Sequence, residues 1–198
     1  MKNLLLILLV LAPLAIVLAD FRSVIARKKA GAGACDTLNI DYSGTVTDTF
    51  GVNGTTEYYY ATFVSSGDVS AHTVCRIDVM FDVTGSPTGN IYASIYTHDA
   101  TPDDPGTMVG DESDGIDVST ITGPDEWVSF TGLTATLSGS TDYWVVVRVD
   151  TINASNYLSL QGWNRTGGDD EIRRSGITGP TWTDVTSFRT WMFRTYSE

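Results

Sequence analysis

The chain has 198 residues, with 24 aspartates and glutamates against 12 lysines and arginines. Every lysine lies at or before Lys29, so the stretch from Cys35 carries seven arginines against 23 acids, a formal −16. That excludes a nucleic-acid partner, which needs a basic face to neutralise phosphates, while about 165 residues suffice for one domain with a sizeable core.

The N-terminus reads "MKNLLLILLVLAPLAIVLAD", one lysine followed by sixteen apolar residues from Leu4 to Ala19. Val17-Leu18-Ala19 offers small residues for cleavage before Asp20, the layout of a secretory signal peptide. "FRSVIARKK" then places four cations directly after the apolar run, which opposes export of the chain beyond it. A retained helix over Leu4 to Lys29, apolar and then basic and kinked near Pro13, is therefore the alternative. The Gly-Phe junction of prepilins is missing, and "AGAC" before Cys35 is a poor lipobox. The expected organisation is a signal peptide or hydrophobic anchor helix over 1–19, a basic amphipathic segment and Ala/Gly linker over 20–34, and a β domain over 35–198. Membrane contact, if any, is expected through the N-terminal segment alone.

From Cys35 the composition turns to Asp, Gly, Thr and Ser, which favour turns and strands over helix. "EYYYATF", 57–63, reads as strand. In "CRIDVMFDV", 75–83, Cys75, Ile77, Val79, Phe81 and Val83 alternate with Arg76, Asp78, Met80 and Asp82, so one face is apolar and the other polar. "NIYASIYTH" turns Ile91, Ala93 and Ile95 inward and Tyr92, Ser94, Tyr96 and His98 outward. "HDATPDDPGTMVGDESDG", 98–115, carries six carboxylates and two prolines and reads as a solvated inter-strand loop. "EWVSFTG" puts Val128 and Phe130 on one face, with Trp127 and Ser129 on the other; "LTATL" alternates Leu133, Ala135 and Leu137. "TDYWVVVRVD", 141–150, is apolar on both sides and is expected as a central strand between two layers. "YLSLQGW", "TWTDV" and "FRTWMFRTY" complete about nine or ten short strands, with no helical period after Ala34. The fold class is all-β, an antiparallel sandwich or barrel.

The order of these features carries a resemblance. "GNIYASIYTHD" leads to "PGTMVG", then "EWVSFTGLTATLSGSTDYWVVVRVD", and last "GPTWTDV" before "FRTWMFRTY". Over roughly residues 45–196 the chain resembles the jelly-roll domains of bacterial choice-of-anchor surface proteins. The resemblance implies a jelly-roll-like sandwich, a secreted or cell-surface location, and display, adhesion or assembly without catalysis. It supplies no catalytic residues. Those proteins usually carry a C-terminal sorting signal; the chain shows none up to Glu198, so anchoring is expected from the N-terminus or a partner.

Two cysteines, Cys35 and Cys75, offer a disulfide in an exported domain, with two buried thiols as the alternative. Two histidines and no G-x-S-x-G elbow give no catalytic constellation. With 23 acids some pair always falls at glycosidase spacing, so paired carboxylates carry no weight, and no enzymatic activity is expected. The acids at Asp99, Asp103, Asp104, Asp111, Glu112, Asp114 and Asp117 fit no EF-hand loop, so no metal or cofactor is assigned and a calcium-dependent module stays an alternative. Outward aromatics can stack against sugar rings. Tyr92, Tyr96, Trp127 and Trp163 are the candidate ligand-binding residues for a glycan or surface polymer, against the plainer reading that they pack on neighbouring strands. Self-assembly of like subunits through residues 4–29 into a filament, spike or array is the alternative function. Sequons at Asn53, Asn153 and Asn164 are candidate glycosylation sites in expected loops.

Overall fold

A computed structural model describes residues 35–52, 57–150, 155–163, 171–176, 181–187 and 190–198, with backbone alone for 48, 57–58, 171–176 and 184–187. The expected N-terminal helix, its linker and the three sequons lie outside the described residues. Among the described residues no helix is long and apolar enough to cross a membrane.

The strands run β1 Thr37–Tyr42, β2 Asp48–Val52, β3 Glu57–Val64, β4 His72–Thr84, β5 Asn90–Asp99, β6 Asp104–Val109 and β7 Ile116–Asp117. They continue as β8 Glu126–Leu137, β9 Tyr143–Val149, β10 Tyr157–Trp163, β11 Glu171–Gly176, β12 Trp182–Ser187, β13 Thr190–Trp191 and β14 Phe193–Ser197. The first sheet follows β1-β14-β4-β10-β13, with β8 also on β4 and β2 also on β10. The second follows β12-β11-β3-β9-β5-β6, with β7 also on β5. Every pairing is antiparallel.

The core lies between the sheets because both contribute alternate apolar residues to it. Ile77, Val79, Phe81, Phe130 and Phe193 come from the first sheet, and Ile91, Ile95, Val145 and Val147 from the second. All nine are at most 1% exposed, and each such side chain contributes about 1.5–3 kcal/mol on burial. β9 is a central strand, as its apolar run predicts. Tyr143, Val145, Val147 and Val149 enter the main core, while Trp144 and Val146 turn to the other face and are buried there as well.

Two details depart from simple alternation. Cys75 does not take the inward place beside Ile77; Val74 does, fully buried. The register of β4 on β8 shifts here, with Val74 opposite Ala135 and Arg76 opposite Thr131. The extra residues of β8 include Gly132 at φ +83°, a left-handed conformation that glycine adopts without strain. The bulge moves the inward parity of β8 from Val128 and Phe130 to Leu133, Ala135 and Leu137. Cys75, displaced from the core, is joined to Cys35, and neither cysteine is free.

The acidic stretch after His98 is not simply a solvated loop. Asp104–Val109 is β6, hydrogen-bonded to β5 with Tyr96 opposite Met108 and His98 opposite Pro105. Asp103 closes the turn at φ +75°, and its N–H donates to the Asp99 carbonyl at 2.8 Å.

Candidate functional site

The outer face of the second sheet carries aromatic side chains in register. Tyr59, Arg148 and Tyr92 stand side by side on β3, β9 and β5, and Phe63, Trp144 and Tyr96 form a parallel row. Register extends the first row through Ser175 of β11 to Trp182 of β12. Ala61, Phe63, Trp144 and Val146 make a buried floor, with Tyr59, Tyr96 and Trp182 partly exposed against it. Trp182 meets Tyr59 edge-on at 6.3 Å between ring centroids and Tyr96 at 6.4 Å. Burial, and secondarily Tyr59 and Glu112, push the Tyr96 hydroxyl above its ordinary pKa, with Arg148 opposing. At the far edge Trp144 Nε1 donates to His98 Nδ1 at 3.2 Å, and Met108 is exposed.

Tyr92 is more constrained than Tyr96. The Arg148 guanidinium lies 3.9 Å from the centre of its ring, and its hydroxyl donates to Asp150 Oδ2 at 3.0 Å. Arg148 in turn grips Glu112 through two hydrogen bonds of 2.9 and 2.7 Å and also pairs with Asp150. The Glu112 hydrogen bond is the chief reason that Arg148 is held above its ordinary pKa. A β-carbon at Gly115 would lie 2.8 Å from the Tyr92 ring, so that side is occupied too. Tyr92 therefore orders the margin of the face and offers little ring surface.

Trp127 and Trp163 belong to the first sheet, so the four aromatics singled out from the sequence do not converge. Arg194 sits 4.1 Å over the Trp127 ring and donates through Nε to Asp41 Oδ1 at 3.1 Å. Trp163 lines a cavity of about 290 Å³ with Asn39, Ile40, Asp41, Tyr42 and Asp68. Tyr42 donates its hydroxyl to Asp68 Oδ2 at 2.5 Å. The Trp163 indole N–H is buried without a hydrogen-bond partner among the described residues.

Several members of the aromatic face are absent from the sequence-based candidates. Tyr59 falls two and four residues before Ala61 and Phe63, and that alternation was the available signal. Trp182 gave no local signal, because its place depends on β11 lying between β12 and β3.

Several acids of residues 99–117 have protein partners. Asp99 accepts from the Thr101 N–H, Asp111 from the Thr134 hydroxyl, and Asp117 from the Ser119 N–H. Among the described residues no three His, Cys, Asp or Glu side chains are grouped to hold a metal ion. Comparisons with protein-family models, curated proteins and solved structures return no match for this chain.

Proposed function

We propose that the chain is a non-enzymatic, secreted or cell-surface module that binds a glycan or surface polymer across the outer face of its second sheet. One observation carries the reading. Tyr59, Trp182 and Tyr96 come from three strands and present partly exposed rings 6.3 and 6.4 Å apart over a buried apolar floor. Sugar rings stack their C–H faces on such rings, and their hydroxyls hydrogen-bond to charged neighbours such as the Arg148–Glu112 pair. The resemblance to choice-of-anchor jelly rolls supports a display role, and the disulfide supports an oxidising compartment.

A polysaccharide pull-down and glycan array test the binding. The Tyr96→Ala, Trp182→Ala double variant is expected to lose retention by on the order of tenfold or more, while Trp127→Ala keeps it. Equal retention by both variants, or no polymer retained by the parent, ends the proposal. N-terminal sequencing of the native protein checks export: a mature start at Asp20 is expected, and an intact N-terminus favours assembly through residues 4–29.

A further inference from the structure

We infer that the aromatic face selects an uncharged polysaccharide over an acidic one, and that Glu112 and Asp150 are the residues that set this choice. The inference rests on the binding function proposed above and names its ligand class. The register puts Arg148 between Tyr59 and Tyr92, so the guanidinium adjoins the rings on which a sugar stacks. An arginine beside aromatic rings is the usual means of holding a uronate, sulfate or phosphate. On this face that use is closed off.

Nε and Nη2 of Arg148 donate to the two oxygens of Glu112 at 2.9 and 2.7 Å, and Nη1 donates to Asp150 Oδ1. One guanidinium against two carboxylates leaves the cluster with a single net negative charge. All three side chains reach solvent, Arg148 at 23%, Glu112 at 27% and Asp150 at 38% exposure, so a ligand meets that charge directly. An acidic sugar that approaches the free N–H groups of Arg148 comes within reach of two carboxylates for one guanidinium, and is repelled. Arg173, in register with this face beside Ala61, stands opposite Asp184 of β12, so this arginine too has an acid on the neighbouring strand. A hydroxyl fits the same cluster. Each of the four carboxylate oxygens accepts one hydrogen bond, from Arg148 or, at Asp150 Oδ2, from Tyr92, and has room for a second. A sugar hydroxyl donates to that oxygen, accepts from a free N–H of Arg148, and brings no charge with it. An ammonium group brings donors alone and sets a like charge against the guanidinium. The choice is thus made by exclusion, through the acids that surround Arg148.

The test measures retention of the full chain on polymer-coated beads at about 0.15 M salt, where a Debye length of about 8 Å screens the general acidity of the domain. The probes are matched pairs that differ in charge: dextran and carboxymethyl dextran, hydroxyethyl cellulose and carboxymethyl cellulose, methyl-esterified pectin and pectate. The parent is expected to be held by at least one neutral polymer, and by its acidic partner more weakly by on the order of tenfold. The Glu112→Gln, Asp150→Asn variant turns the local charge from one negative to one positive. Its acidic-to-neutral ratio is expected to rise by on the order of tenfold, as Arg148 becomes free to pair with the polymer. Glu112→Gln alone is expected to give a smaller rise. Asp36→Asn, Asp125→Asn removes as many charges beside the first sheet, at the Arg76 partner and before β8, and is expected to keep the parent's ratio. An equal rise in both double variants would show that overall charge makes the choice, and overturns the inference. The parent's own preference decides the matter even if a variant fails to fold. Equal retention on both members of a pair, lost from both in Tyr96→Ala, Trp182→Ala, overturns the neutral class and leaves the binding face standing. Stronger retention on diethylaminoethyl dextran than on dextran, lost in that same variant, does likewise. Retention on no polymer ends both readings.

Discussion

At the scale of single residues, charge on this molecule is mostly local hydrogen bonding. Asp117 shows it at a fully exposed position. The Ser119 side chain, and then the Ser119 backbone N–H, hold its carboxyl below the ordinary range. A lowered native pKa contributes stability above the unfolded value, near 3.9, and loses it as pH falls through the native value. The expectation is a carbon-13 NMR titration in which Asp117 protonates at lower pH than an unfolded aspartate, and in which Ser119→Ala returns it part of the way. A midpoint unmoved by Ser119→Ala would show that the backbone N–H suffices. Tyr92 and Tyr96 mark how far single residues are legible in a sequence. Alternation alone places both rings on the outer face of β5. It does not show that Arg148 lies on one of them, because Arg148 is 56 positions away and reaches Tyr92 only through the β5–β9 register. Trp163 was visible as an aromatic at a strand end, but its cavity needs β1 and the Ser66–Asp68 turn brought alongside.

At the scale of elements, strands with one apolar face follow directly from period two, and β9 follows from its unbroken apolar run. Bulges and register do not, since each belongs to a pair of strands. The displacement of Cys75 by Val74 needs both β4 and β8 to be seen. β6 escaped notice because Pro105 and Gly106 read as turn residues, yet Asp104–Val109 pairs at the edge of the second sheet, where proline is tolerated. Gly110, which ends this edge strand, carries a testable constraint. It sits at φ +68°, and a β-carbon there would lie 2.7 Å from the backbone oxygen of Thr134. Strain and backbone overlap act together, so Gly110→Ala is expected to cost about 2–3 kcal/mol in urea unfolding. Ser140, at φ +55° in the turn before β9, gives the contrasting control, because Ser140→Gly relieves strain and is expected to be neutral or slightly stabilising. A Gly110→Ala variant as stable as the parent would mean that β6 and β8 separate easily at this corner.

At the scale of the whole molecule, two opposing terms set stability. The formal −16 from Cys35 onward disfavours a compact state through self-repulsion, an effect that salt screens over a Debye length of about 8 Å at physiological strength. The disulfide acts on the other side, by restricting the unfolded chain. Cys35 and Cys75 close a loop of about 40 residues, and on the chain-entropy account that is worth roughly 3–4 kcal/mol. Cys75 occupies the bulge of β4, the strand to which β8, β10 and β14 all pair, so the crosslink ties the start of the domain to the centre of the first sheet. The Cys35→Ser, Cys75→Ser variant is expected to lose roughly that 3–4 kcal/mol in denaturant unfolding while keeping the far-ultraviolet spectrum of a β protein. Because screening and crosslinking act on different states, added salt should raise the midpoint of parent and variant by similar amounts. If salt restored the variant fully, charge repulsion rather than chain entropy would be the term that the disulfide opposes.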